Sequence, residues 1–76
     1  MSLSREEARL LKQLGASIRR QRTQKALTQQ RLAELSNLDI RNVQRIEAGE
    51  INLLFNTFNR IRKALGCSWD ELVPND

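Results

Sequence analysis

Apolar and polar positions alternate along this chain with the period of a helix. Ala8, Leu11, Leu14 and Ile18 fall three or four residues apart and so line one face of a first helix. It opens at Ser4, which with Glu7 has the spacing of a capping box, and reaches about Lys25. Gly15 in its middle costs roughly 1 kcal/mol relative to Ala. Close approach of another helix is the expected reason for it, with a break in the helix as the alternative.

The pattern then repeats in shorter pieces. Thr28 is placed to cap a second helix ending near Ser36, with Leu32, Ala33 and Leu35 expected to face inward. Asn37 tolerates the left-handed conformation that ends a helix. Asp39 caps a third helix from Ile40 to Ala48, which Gly49 stops, and residues 50–53 form a loop. A fourth helix from about Leu54 to Leu65 is expected to bury Phe55, Phe58, Ile61 and Leu65 before Gly66 ends it. Ser68 and Glu71 repeat the capping-box spacing and open a short fifth helix with Trp69, Leu72 and Val73. The expectation is an all-α, compact five-helix domain, with residues 1–76 a single unit and residues 1–14 extending the first helix at its N-terminus.

The third helix is the informative one. At about 100° per residue, Val43 and Ile46 define its buried side. Arg41, Gln44, Arg45 and Ala48 lie opposite, with Ile40, Asn42 and Glu47 on the flanks. Arg and Gln are the side chains that pair best with base edges, and a small Ala48 would allow close approach to a surface. The connection Asn37-Leu38-Asp39 has the length that joins the two helices of a helix-turn-helix, here about residues 28–48. Ala33 suits the point where those helices cross.

Charge sharpens this picture. The 76 residues carry a net +4, but residues 19–45 alone hold seven basic side chains against two acidic ones. Residues 46–76 hold three basic and five acidic, so the positive field is concentrated in the middle of the chain, as in nucleic-acid binders. One Cys and no His exclude an internal disulfide and a Cys/His metal cluster. Aromatics make up only 4%, so the core must come from Leu, Ile, Val and Ala, which favours packed helices over a sheet. No apolar run approaches the length of a membrane span, and no signal peptide is visible. A soluble cytoplasmic protein is expected, without membrane, cofactor, metal or small-molecule ligand. Nothing suggests an enzyme: no Gly-rich phosphate loop is present, Cys67 reads as core, and the pairs Glu6–Glu7 and Asp70–Glu71 are consecutive residues that cannot face each other across a substrate.

The stretch "TQQRLAELSNLDIRNVQRIEAGE", with "IRRQR" before it and "RIRKALGCSWDEL" after it, resembles the Cro/C1-type (XRE family) transcriptional regulators over about residues 15–73. The resemblance implies a lambda-repressor-like domain whose third helix enters the major groove of double-stranded DNA. It implies base-reading by Ile40, Arg41 and Arg45, to which helical geometry adds Gln44. It implies phosphate contacts at Gln29, Asn42 and Asn52, and Thr28 joins them at a helix N-terminus that attracts anions. It further implies an ion pair between Arg22 and Glu47 that clamps the first helix to the third. Departures from the pattern are Ala26 for a glycine, so that turn is expected to be made differently, Leu53 and Leu54 for proline and serine, Glu50 for a basic residue, and Arg62 for a small apolar one.

One reading helix spans too few base pairs to select a genomic site, so a homodimer on a palindromic operator is expected. Trp69, Leu72 and Val73 are the candidate dimer interface. The functional alternative is a protein-interaction module on the same fold, such as an antitoxin subunit.

Overall fold

Residues 4–74 are described by a computed structural model. The outermost residues of the expected 1–76 domain, 1–3 and 75–76, lie outside the described residues. Five helices follow in order: α1 (Arg5–Gln24), α2 (Gln29–Ser36), α3 (Ile40–Glu47), α4 (Phe55–Leu65) and α5 (Trp69–Leu72). No helix among the described residues is long and apolar enough to cross a membrane.

The helix ends are set by local chemistry. Ser4 and Glu7 form a complete capping box on α1, and Ser68 and Glu71 form one on α5. The backbone N–H groups of Ser4 and Ser68 hold the Glu7 and Glu71 carboxyls below their ordinary pKa. Thr28 accepts from the Arg31 N–H, and Asp39 accepts from the Arg41 N–H at 2.8 Å. Asn37 turns left-handed at φ 55°, and the Leu38 N–H reaches back to the Ala33 carbonyl, which fixes the sharp turn between α2 and α3. α4 starts on Leu54 without a side-chain cap, the direct result of a leucine standing where serine is common.

Ala26 corrects an expectation. The turn is not made differently: Ala26 adopts φ 57°, the left-handed conformation a glycine would take. That conformation costs an L-residue about 1–2 kcal/mol. Ala26→Gly removes the strain but frees the unfolded chain, a counter-effect of about 0.4–1 kcal/mol. The variant should therefore gain about 0.5–1 kcal/mol by denaturant unfolding; a loss would show that Ala26 is not strained.

Ile18, Leu32, Ala33, Val43, Ile46, Ile61, Leu65, Cys67 and Leu72 form the buried core, to which all five helices contribute. Each large aliphatic side chain there stabilises the fold by roughly 1.5–3 kcal/mol through burial. Phe58, expected in the core, is only partly buried against it, and two other expected core residues are exposed. Leu35 is 44% exposed and Phe55 is 68% exposed. Phe55 opens α4, with no preceding turn to cover it, and Leu35 lies at the rim of an open surface cleft that it lines with Arg60, Lys63 and Ala64 of α4.

Gly15 is explained by close approach, not by a break. A methyl group there would lie 2.4 Å from the Ile46 carbonyl oxygen and 2.6 Å from that of Glu47. α1 therefore crosses the C-terminal end of α3 backbone to backbone, and this contact sets how far α3 stands out from the domain.

Candidate nucleic-acid interface

The outer face of α3 is built by what its inner face buries. Val43 and Ile46 are anchored in the core, which turns Arg41, Gln44, Arg45 and Ala48 outward, and all four are exposed.

 The side chains of Arg41, Gln44 and Arg45 engage no other described residue, so their donors are free for a partner. Ile40 is half-buried against the core and offers only part of its side chain at the N-terminal end of this face.

Behind the face stands a buried polar clamp. Arg22 Nε donates to Glu47 Oε2 at 2.6 Å, and Arg22 Nη2 donates to Glu47 Oε1 at 3.1 Å. Arg22 Nη1 donates to the Leu27 carbonyl at 2.8 Å, and Gln29 Nε2 donates to Glu47 Oε1 at 3.0 Å. One carboxylate thus ties together α1, the first residue of α2 and the end of α3, and Arg22 adds the turn before α2. The Arg22 and Glu47 side chains are only 10% and 4% exposed, so the pair is shielded from water. Charged groups buried in this way persist because nearly every donor and acceptor is met.

The structure groups the remaining candidates in two places. Thr28 and Gln29 stand together at the start of α2, beside the clamp; the Thr28 oxygen is occupied as a cap, while its O–H remains able to donate. Gln29 has one amide N–H committed to Glu47 and one left over, a linkage that no local pattern signals. Asn42 and Asn52 line a single cleft on the other flank of α3, with Leu38, Ile46 and Ile51. The two groups bracket the outer face of α3 from opposite sides.

Leu72 requires a correction. It is 0% exposed and belongs to the core, so it offers no surface to a second copy. Trp69 is half-exposed and Val73 exposed, and sequence reasoning missed their neighbours. Phe55 stacks on Trp69 with ring centroids 5.4 Å apart, Phe58 meets the same ring edge-on, and the Arg62 guanidinium lies 4.8 Å from its centroid. Arg62 also donates to Asn59 Oδ1 and to the Cys67 carbonyl, which explains how a long cation fills a position where a small apolar residue is common. Leu54, beside Phe55, is 75% exposed. Burial pushes the Cys67 thiol up, away from the reactive thiolate form.

A helix-turn-helix family model matches residues 18–72, which include the clamp and both helices of the reading unit. The chain belongs to the helix-turn-helix family. It is a DNA-binding transcriptional regulator of the Cro/C1 (XRE) type. Similar solved structures include the restriction-modification controller protein C.AhdI from Aeromonas hydrophila, 35% identical with a TM-score of 0.79, covering 82% of this chain and 94% of that one. The clp gene regulator ClgR from C. glutamicum is 28% identical with a TM-score of 0.79, covering 83% of this chain and 82% of that one. The restriction-modification controller protein C.Esp1396I is 34% identical with a TM-score of 0.76, covering 80% of this chain and 79% of that one. The comparison with curated proteins returned no match.

Proposed function

We propose that this helix-turn-helix regulator binds double-stranded DNA sequence-specifically as a homodimer on a palindromic operator, with α3 in the major groove. The observation that carries this reading is the outer face of α3, where Arg41, Gln44 and Arg45 are exposed and uncommitted around a small Ala48. Arg41 and Arg45 suit guanine O6 and N7, Gln44 suits adenine, and Ile40 suits an apolar contact with a thymine methyl. Thr28 and Gln29 on one flank, and Asn42 and Asn52 on the other, suit the phosphates of the two strands that border the groove. An interaction helix of an antitoxin-type module would present Leu, Met or aromatic side chains on that face, and α3 presents none.

The dimer surface is assigned to Leu54, Phe55, Trp69 and Val73, the exposed apolar side chains at the starts of α4 and α5 and the end of α5. A stacked aromatic pair open to solvent is the kind of group that anchors interfaces. Sedimentation of the wild type at tens of micromolar should show a dimer, and Phe55→Ala should shift it towards monomer without unfolding it; a monomeric wild type removes the solution dimer. DNA binding itself is tested by gel shift across a salt series. Log K should fall by about 0.9 per phosphate neutralised for each decade of salt. A protein that shifts no duplex at low salt, and that still captures a protein partner after nuclease treatment, would favour the interaction module instead.

A further inference from the structure

The family match begins at Ile18, yet the first three turns of α1 lie before it and carry Arg5, Arg9 and Lys12. These turns are placed by α3. Gly15 meets the Ile46 and Glu47 carbonyls, and a methyl group on Gly49 would lie 2.7 Å from the Lys12 Cα, so Lys12 sits against the turn that ends α3.

The orientation of α1 follows from these contacts. With Gly15 facing α3, Lys12, Arg19 and Arg5 lie about 40° to 80° round the helix on one side, at 100° per residue. Leu10, Leu11 and Leu14 lie round the other side, where they line a cleft with Asn52, Val73 and Pro74. Val43 and Ile46 turn the inner face of α3 into the same core. The cations of α1 and the outer face of α3 therefore both point away from the shared core, and Lys12 stands beside the turn where α3 ends.

Arg5, Lys12 and Arg19 are exposed and their charged groups make no hydrogen bond or ion pair with a described residue, whereas Arg9 is paired with Glu6 at 2.9 Å. Ala8 and Ala16 separate them, so the surface between the cations is low. From Arg5 to Arg19 the helix spans about 21 Å. One DNA strand presents a phosphate about every 3.4 Å of axis, so this length faces several of them. Of the acids nearby, Glu6 and Glu7 are engaged by Arg9 and Ser4, and Glu50 opposes the field at the end near Gly49.

The geometry points to a second DNA contact: the cationic face of α1 lies along the phosphate backbone beside the groove that α3 enters. It rests on the reading of α3 as a groove-binding helix. The contact is electrostatic and carries no sequence information, so it raises affinity for all duplexes alike.

The test compares the wild type with the triple variant Arg5→Gln, Lys12→Gln, Arg19→Gln on a long random-sequence duplex. Each lost phosphate contact lowers the slope of log K against log salt by about 0.9, so the triple variant should lose about 2–3 from the slope. Its melting temperature should not change, and its affinity should fall by the same factor on preferred and random sequences. Lys12→Gln alone should lower the slope by about 0.9, which keeps the test available if the triple variant folds poorly. Variants with the wild-type slope overturn the α1 contact and leave the α3 reading standing. A wild type that binds no duplex at low salt overturns the α3 reading, and the α1 contact with it.

Discussion

Replacing Glu47 with alanine should destabilise the domain by about 3–5 kcal/mol, the cost of leaving one member of a buried ion pair without its partner. Glu47 accepts two hydrogen bonds from Arg22 and one from Gln29, and all three would be lost together. Arg22 would keep only its bond to the Leu27 carbonyl, with a charge still shielded from water. At roughly 0.05–0.15 kcal/mol per residue, a domain of this length has about 4–11 kcal/mol of stability in all, so this loss is a large part of it. The variant should unfold at much lower denaturant, or fail to fold at all. Glu47→Gln, which keeps one acceptor oxygen, should be milder. A Glu47→Ala variant with the wild-type unfolding midpoint would show that the clamp contributes nothing.

The second large effect is on DNA. Arg45→Ala and Arg41→Ala should each cost about 1–3 kcal/mol on the preferred site, the worth of a bidentate contact to guanine. Both side chains are exposed and make no internal bond, so the melting temperature should hold. Affinity for random DNA should fall much less, because that term comes from phosphates. Gln29→Ala should behave differently on both counts. It should weaken all sequences alike, and it should also lower stability, because its amide supports Glu47. Equal losses on preferred and random DNA for Arg41 and Arg45 would make them phosphate contacts.

The helices were legible because their ends are written in short-range chemistry. Ser4 with Glu7, Thr28, Asp39, and Ser68 with Glu71 each cap a helix within three residues of themselves, and Asn37 and Gly66 take the left-handed conformation their chemistry permits. The outward face of α3 was legible for a similar reason, since Val43 and Ile46 alone fix its rotation. What periodicity could not tell was how far each apolar position lies under its neighbours. Phe55 has the spacing of a core residue but stands at an uncovered helix start, while Leu72 is expected at the dimer interface and is wholly enclosed. Ala26 was misread because a residue's identity reports its preference, and the surrounding helices can hold it in a conformation it does not prefer. The family resemblance makes Gln29 a phosphate contact, and its bond to a residue 18 positions away could only come from the packing of α2 against α3.

The most direct test of the whole account is selection of bound sequences from a random duplex library by the wild-type protein. The dimeric, groove-reading α3 predicts enrichment of two inverted half-sites whose centres lie about 34 Å apart, one turn of B-DNA. Guanine should be prominent within each half-site, and Arg45→Ala should relax the preference at one position of each. Recovery of no common sequence, at a salt concentration where the protein still binds, would contradict it.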